Sequence, residues 1–389
     1  MSYQFLKSYM FKSGITVKNR IVVPPMTESM SFTDGSVTQD ELHYFKIHSG
    51  GAGLFVTPVA NVNALGKGFE GELSVADDSM IPGLSQLAKA IKQDGTKAIL
   101  QIFSAGRMTN RKILRGEQPV SASAIAADRP NAEMPRSLSE TEIEQTIQDF
   151  ADATIRAIEA GFDGVELHGA NTYLIQQFFS PHSNQRHDEW GGSLEKRMTF
   201  PLAVIRAAQD AIRDNARRPF MLGYRLSPEE IEKPGITIED TLALVKRLDT
   251  LGLDYLHISM GSVWRTSLND KNDQEPLIIK IKDAVQQTPI ITVGGVETPA
   301  DAESVIKNGF DFVALGRESI REPAWVQKVE NGTEDTIRYQ ISVTDLNELG
   351  IPLVFFKNLL EMERNGAHIG FVPDVGDVSH NIYSDIIFN

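Results

Sequence analysis

Along the first 330 residues, short runs of apolar and β-branched residues alternate with longer stretches of amphipathic character. The short runs lie at 20–24, 53–57, 98–103, 163–168, 220–226, 255–259, 290–293 and 312–315. Their length and near-continuous hydrophobicity predict strands, and the amphipathic stretches at 39–48, 83–93, 139–159, 194–214, 238–251, 277–286, 299–307 and 323–329 predict helices. Eight strands, each followed by a helix, spell an α/β fold, the (β/α)8 TIM barrel. An open doubly wound sheet shares the alternation. Its first strand–helix turn would carry a G-x-G-x-x-G loop, and this chain has none there.

Local signals support the helix starts. Ser139-Glu-Thr-Glu142 has the form of a capping box, in which serine and glutamate satisfy each other's exposed amides. Ser193 and Thr298 are placed as caps, the latter followed by proline in the first turn. Residues 106–136 read as a long excursion after the third strand, of the kind that shapes a binding site. Past about residue 330 the alternation lapses. The chain therefore divides into a barrel over 1–330 and an extension over 331–389, expected to pack on the barrel or on a neighbouring subunit.

Composition narrows the class. A net charge of −14 over 389 residues argues against nucleic acid and anionic lipid as partners. No window approaches the roughly 18 apolar residues of a membrane span. The opening residues lack the pattern of a secretory signal, so a cytoplasmic enzyme is expected, and a homo-oligomer is compatible with the sequence. With no cysteine, disulfides, thiolate zinc sites and iron–sulfur clusters are excluded.

In such a barrel the chemistry sits at the C-terminal ends of the strands. The first ends in Pro24-Pro25-Met26-Thr27, and the third carries Gln101. The fourth leads into His168-Gly-Ala-Asn171-Thr-Tyr173, three hydrogen-bonding side chains within six residues. The fifth carries Arg225, the seventh ends in Gly294-Gly295, and the eighth in Gly316-Arg317. Glycines that admit backbone amides, the helix start at Thr298 and the Arg317 cation together suit a phosphate. The glutamine offers a donor and an acceptor to a ring edge that alternates carbonyl and N–H groups. These groups describe the polar periphery of flavin mononucleotide (FMN). His182 and His187 lack the carboxylate company and spacing of a metal site, so no metal is expected. His182, Asn184, Arg186, Asp188 and Trp190 read as structural members of the strand-four loop.

Over roughly residues 5 to 330 the chain resembles the Old Yellow Enzyme family of FMN-dependent oxidoreductases. The likeness rests on KNRIVVPPMT at 18–27, QIFSAGR at 101–107, HGANTYLIQQFFSPHSNQRHDEWGGSLEKR at 168–197, Arg225, GGVETPADAE at 294–303 and ALGRESIREP at 314–323. It implies that Pro25, Met26 and Thr27 border the flavin, with Thr27 near O4 and N5, where one branch of the family has cysteine. It implies that Gln101 pairs with the pyrimidine edge, that Arg225 lies near N1 and O2, and that Gly294, Gly295, Gly316 and Arg317 hold the phosphate end. His168 and Asn171 would bind the carbonyl oxygen of an activated alkene, and Tyr173 would protonate the substrate carbon opposite the hydride. NADH or NADPH would reduce the flavin first, at the same face, in a ping-pong cycle. The implied activity is ene reduction. A flavin-binding barrel that senses ligands without turnover is the alternative.

Overall fold

The computed structural model describes residues 3–372. Eight parallel strands close on themselves: β1 (Ile21–Val23), β2 (Leu54–Asn61), β3 (Lys97–Phe103), β4 (Gly164–Gly169), β5 (Met221–Leu226), β6 (Tyr255–Ile258), β7 (Ile290–Val293) and β8 (Phe312–Ala314). Closure comes from β8 pairing with β1 and β1 with β2, both parallel. The fold is the expected TIM barrel. Around it lie α1 (Gln39–His48), α2 (Ile81–Ile91), α3 (Glu140–Glu159), α4 (Thr199–Asn215), α5 (Ile238–Leu248), α6 (Leu277–Ala284), α7 (Pro299–Lys307) and α8 (Trp325–Glu330).

Strand residues alternate between two cores, because successive side chains point to opposite faces. Outward residues such as Val165, Leu167 and Leu256 join the large core shared with the helices. Inward residues Val22, Leu54, Val56, Ile99, Met221, Tyr255, Ile291 and Phe312 form a second, separate core inside the barrel. An antiparallel hairpin, Tyr9–Met10 with Thr16–Val17, delivers Phe11, Ile15 and Val17 into that core, and Phe11 stacks on Phe312 with centroids 4.9 Å apart. The hairpin thus plugs the end opposite the C-terminal ends of the strands. The interior is crowded enough that a Cβ on Gly223 would lie 2.1 Å from the Tyr255 ring.

The caps form as the sequence predicts. Ser139 Oγ accepts from the Glu142 amide and Glu142 accepts from the Ser139 amide. Thr298 and Asp301 make the same reciprocal pair at α7. Two elements differ most from expectation. Strand β2 runs on to Asn61, because a bulge between Val56 and Val59 carries it past Pro58. The helix expected over 194–214 is broken at Met198 into Leu194–Arg197 and α4. Pro201 has no N–H to give Arg197, and its ring crowds that carbonyl.

Beyond α8 the chain returns to the barrel. Helix α9 (Leu353–Arg364) buries Phe355, Phe356, Leu359 and Leu360, with Phe355 edge-on to Tyr44 of α1 at 5.3 Å. Asn358 donates to the Glu28 carbonyl at 3.0 Å, and Arg321 donates to the Ile369 carbonyl at 2.6 Å. The final part of the expected extension, 373–389, lies outside the described residues.

Candidate active site at the C-terminal face of the barrel

The upper layer of the barrel is polar where the lower layer is apolar. Register places Gln101 beside Glu166, His168 beside Arg225, and Arg225 beside His257, all on strands β3 to β6. All five are buried, Arg225 being 7% exposed and Glu166 and His257 fully enclosed. Gln101 Nε2 donates to Glu166 at 2.6 Å, and His257 Nδ1 lies 2.9 Å from the second Glu166 oxygen. Burial alone would raise the Glu166 carboxyl, but His257, Arg225 and Gln101 outweigh it and hold the group below its ordinary range. Burial also lowers His257, only partly offset by Glu166, so at neutral pH it is an uncharged ring donating Nδ1–H to a carboxylate. Neither Glu166 nor His257 was singled out from the sequence. Each stands as a polar residue at an inward strand position, a signal for either one alone but not for their pairing.

Arg225 leads outward to the residues after β4. Its Nη2 donates to Ser259 Oγ at 3.1 Å, and Ser259 Oγ donates to Asn171 Oδ1 at 2.9 Å. With its oxygen taken, Asn171 presents its amide Nδ2–H2 as donor. The Asn171 backbone is held as well, its N–H donating to Ser227 Oγ at 3.0 Å. Asn171 and Thr172 adopt φ values of 56° and 64°, a left-handed pair that is costly for a β-branched threonine. Gln176 and Gln177 hold it by accepting from the Thr172 amide and donating to the Thr172 carbonyl.

His168 is oriented from within. Its Nδ1 accepts from the Ala170 amide at 3.2 Å, which leaves Nε2 as the protonated nitrogen. Burial, then the Arg225 and His257 fields, push its pKa well below the ordinary value, so the ring is neutral and Nε2–H is a donor. Tyr173 stands edge-on to both His168 and Phe103, with centroids 5.0 and 4.8 Å away. Burial first, and the Glu72 carboxylate second, raise the phenol to about 12, keeping it protonated. Phe69 packs in the same small cluster. Trp264 does not: it meets Phe310, which leads into the far end of β8.

A cavity of about 520 Å³ opens beside this layer, a size suited to a small-molecule cofactor. Pro25, Met26, Arg225, Gly294, Gly295, Gly316 and Arg317 all line it. Gly294 and Gly295 have φ of 124° and 67°; a Cβ on Gly294 would strike the Gly261–Ser262 backbone at 2.6 Å, whereas one on Gly295 would meet nothing within 4 Å. The backbone is thus pressed against the neighbouring loop at one glycine and open at the next. Arg225 Nε is buried without a hydrogen-bond partner. Such an orphaned donor on a cavity wall fits an acceptor supplied by a ligand. Residues Met362 and 366–369 line the same cavity, and Arg317 Nη1 donates to the carbonyls of Ala367 and His368 at 3.0 and 3.2 Å. Their part was invisible in the sequence, being some fifty residues beyond the loop they cover. Thr27, Gln101 and the His168–Asn171–Tyr173 trio stand outside the cavity lining; Thr27 is exposed, while Arg225 and Ser259 tie the trio to the wall.

The residues read as structural do hold the strand-four loop. Asn184 donates to the carbonyls of Phe178 and Trp190 at 2.6 and 2.7 Å, and Arg186 grips Asp188 and the Ala122 and Leu138 carbonyls. Among the described residues there is no cluster of His, Asp or Glu able to hold a metal, and no helix long and apolar enough to cross a membrane.

Residues 8–336 match the family model described as NADH:flavin oxidoreductase / NADH oxidase. The chain is 47% identical to an NADH:acrylate oxidoreductase of Vibrio harveyi over 90% of its own length, and spans only 35% of that protein. It is 43% identical to a probable NADH-dependent flavin oxidoreductase of Bacillus subtilis, covering 94% of this chain and 96% of that one. Among solved structures, an Old Yellow Enzyme homologue of Zymomonas mobilis superposes with a TM-score of 0.75 at 24% identity, over 85% of this chain and 93% of the other.

Proposed function

Because the chain belongs to the NADH:flavin oxidoreductase / NADH oxidase family, whose cofactor is FMN, we propose that it oxidises NADH or NADPH and reduces activated alkenes at the face described above. The observation that carries the reading is the hydrogen-bond chain from Arg225 through Ser259 to Asn171, beside a neutral His168. It leaves two donors, Asn171 Nδ2 and the Nε2 of the buried His168, available to a substrate carbonyl, since their partner atoms Oδ1 and Nδ1 are engaged.

When bound, FMN supplies hydride transfer, taking a hydride from the nicotinamide and delivering it to the β-carbon of the alkene. The chain supplies everything else. Pro25, Met26 and Thr27 would border the ring, and Gln101, its Nε2 engaged by Glu166, would offer Oε1 to a ring N–H. Arg225, with its unpaired Nε–H, would meet the pyrimidine edge, and Gly294, Gly295, Gly316 and Arg317 would hold the phosphate end. His168 and Asn171 stabilise charge that develops on the substrate oxygen, and donors of this kind contribute about 3 kcal/mol each. Tyr173 O–H provides the proton to the α-carbon. The relative named for acrylate points to conjugated acids and enones as a starting panel.

Reconstitution tests the reading. Apoprotein mixed with FMN should turn yellow, bleach anaerobically with NADH or NADPH, and recover colour on adding 2-cyclohexenone or acrylate. Protein that takes up no FMN, or whose bound FMN ignores both nicotinamides, would contradict it.

A further inference from the structure

The Glu166 carboxylate is the least expected group in the barrel: a fully buried anion, one strand from Arg225, in the same polar layer as Gln101 and Arg225 but with no part in the steps proposed above. Its two oxygens are fully committed, one to Gln101 Nε2 and the other to His257 Nδ1. His257 is uncharged and its Nε2 has no partner, so it orients the carboxylate without neutralising it. The compensating charge is Arg225, held in the field of Glu166 but bonded to Ser259 rather than to the carboxylate. Charge pairs of this kind are costly to bury and persist where the field itself has a use.

We propose that Glu166 is a positioning residue that tunes the flavin, lowering its reduction potential by offsetting the Arg225 charge while turning the Gln101 carbonyl toward the ring. This deepens the functional reading and rests on it. Arg225 stabilises the negative charge gained at the pyrimidine edge on reduction. A buried carboxylate behind it opposes that stabilisation, and in a low-dielectric interior the opposition is weakly screened. The reduced cofactor is thereby kept a stronger hydride donor than Arg225 alone would allow. His257 holds the carboxylate's rotamer, so that both functions depend on one geometry.

Glu166→Gln removes the charge and keeps the shape and one acceptor oxygen for Gln101. Relative to wild type, its bound FMN should show a more positive midpoint potential in a dye-coupled titration. Its two half-reactions should move in opposite directions: faster bleaching by NADH and slower recovery with the alkene. Loss of shape or packing alone would slow both. Asp at this position restores the charge with a shorter reach, so Glu166→Asp should return the potential toward wild type even where Gln101 is displaced and FMN binds more weakly. An unchanged or more negative potential in Glu166→Gln, with FMN still bound, would overturn the proposal. If Glu166→Gln does not fold, Glu166→Met, which also removes the charge at similar volume, carries the same comparison and should likewise raise the potential, while His257→Gln, which keeps the carboxylate, should leave it near wild type. Wild-type protein without any FMN would instead overturn the functional reading beneath.

Discussion

Asn171 and Thr172 hold a strained pair of dihedrals, and the strain places three side chains rather than one. The left-handed turn swings Asn171 over Ser259 and lets Tyr173 fold back against His168. Replacing Asn171 by glycine keeps the turn and removes the amide. That variant should retain stability and FMN but lose about 3 kcal/mol of transition-state stabilisation in alkene reduction, read from kcat/KM. An unchanged kcat/KM would remove Asn171 from the oxygen site. His168 leads to a pH prediction. Its folded pKa lies well below 6.5, so the ring stays neutral through pH 6 to 8 and its donor role does not titrate there. Sign matters for stability too. A histidine whose folded pKa is depressed costs stability as pH falls below its unfolded value, because the unfolded chain takes up the proton first. Replacing His168 with asparagine should therefore flatten part of the acid-side loss of Tm below about pH 6.5. An acid limb as steep as that of wild type would contradict the neutral assignment.

At the scale of elements, the strands were legible because parallel barrel strands are buried on both faces and read as apolar runs. Helix starts were legible for the same local reason, since Ser139 and Thr298 act within four residues of themselves. What escaped was set by context. Pro58 looked like a strand end, and only the bulge pairing with β3 shows that the strand continues. Pro201 stands inside the run 194–214 that was read as one helix, and its effect falls four residues back. Of the site, the strand-end residues were readable and the Glu166–His257 pair was not, because a lone glutamate in a strand says nothing about the histidine two strands away. The glycine loop after β7 gives a test at this scale. Gly294→Ala forces a Cβ onto the Gly261–Ser262 backbone at a φ of 124°. It should cost about 1–3 kcal/mol of stability, and it should weaken FMN binding in a fluorescence titration, whereas Gly295→Ser, at a φ of 67° with nothing within 4 Å of its Cβ, carries only the smaller left-handed backbone cost of about 1–2 kcal/mol and no clash. Equal behaviour of the two would count against the close approach of that loop.

For the whole molecule, the barrel alone does not complete the cavity. Arg317 and Arg321 reach across nearly fifty residues to hold the carbonyls of 367–369, and α9 covers Tyr44 on α1. No local pattern in the sequence announces contacts of that range. A chain ending at Thr336, where the family match ends, should melt at lower temperature and release FMN more readily than the full chain. Equal Tm and equal FMN retention would show that the segment only decorates the barrel.

The central claim is that the strand-four trio forms the substrate wall of a flavin site, with Tyr173 as the proton donor. Its most direct test is the pair of anaerobic half-reactions in Tyr173→Phe, followed by stopped-flow absorbance of the bound FMN. Bleaching by the nicotinamide needs no proton from Tyr173 and should proceed at the wild-type rate. Return of colour with the alkene should slow by about 10²-fold or more, the scale of a lost general acid. A variant in which the return is as fast as in wild type would contradict the account.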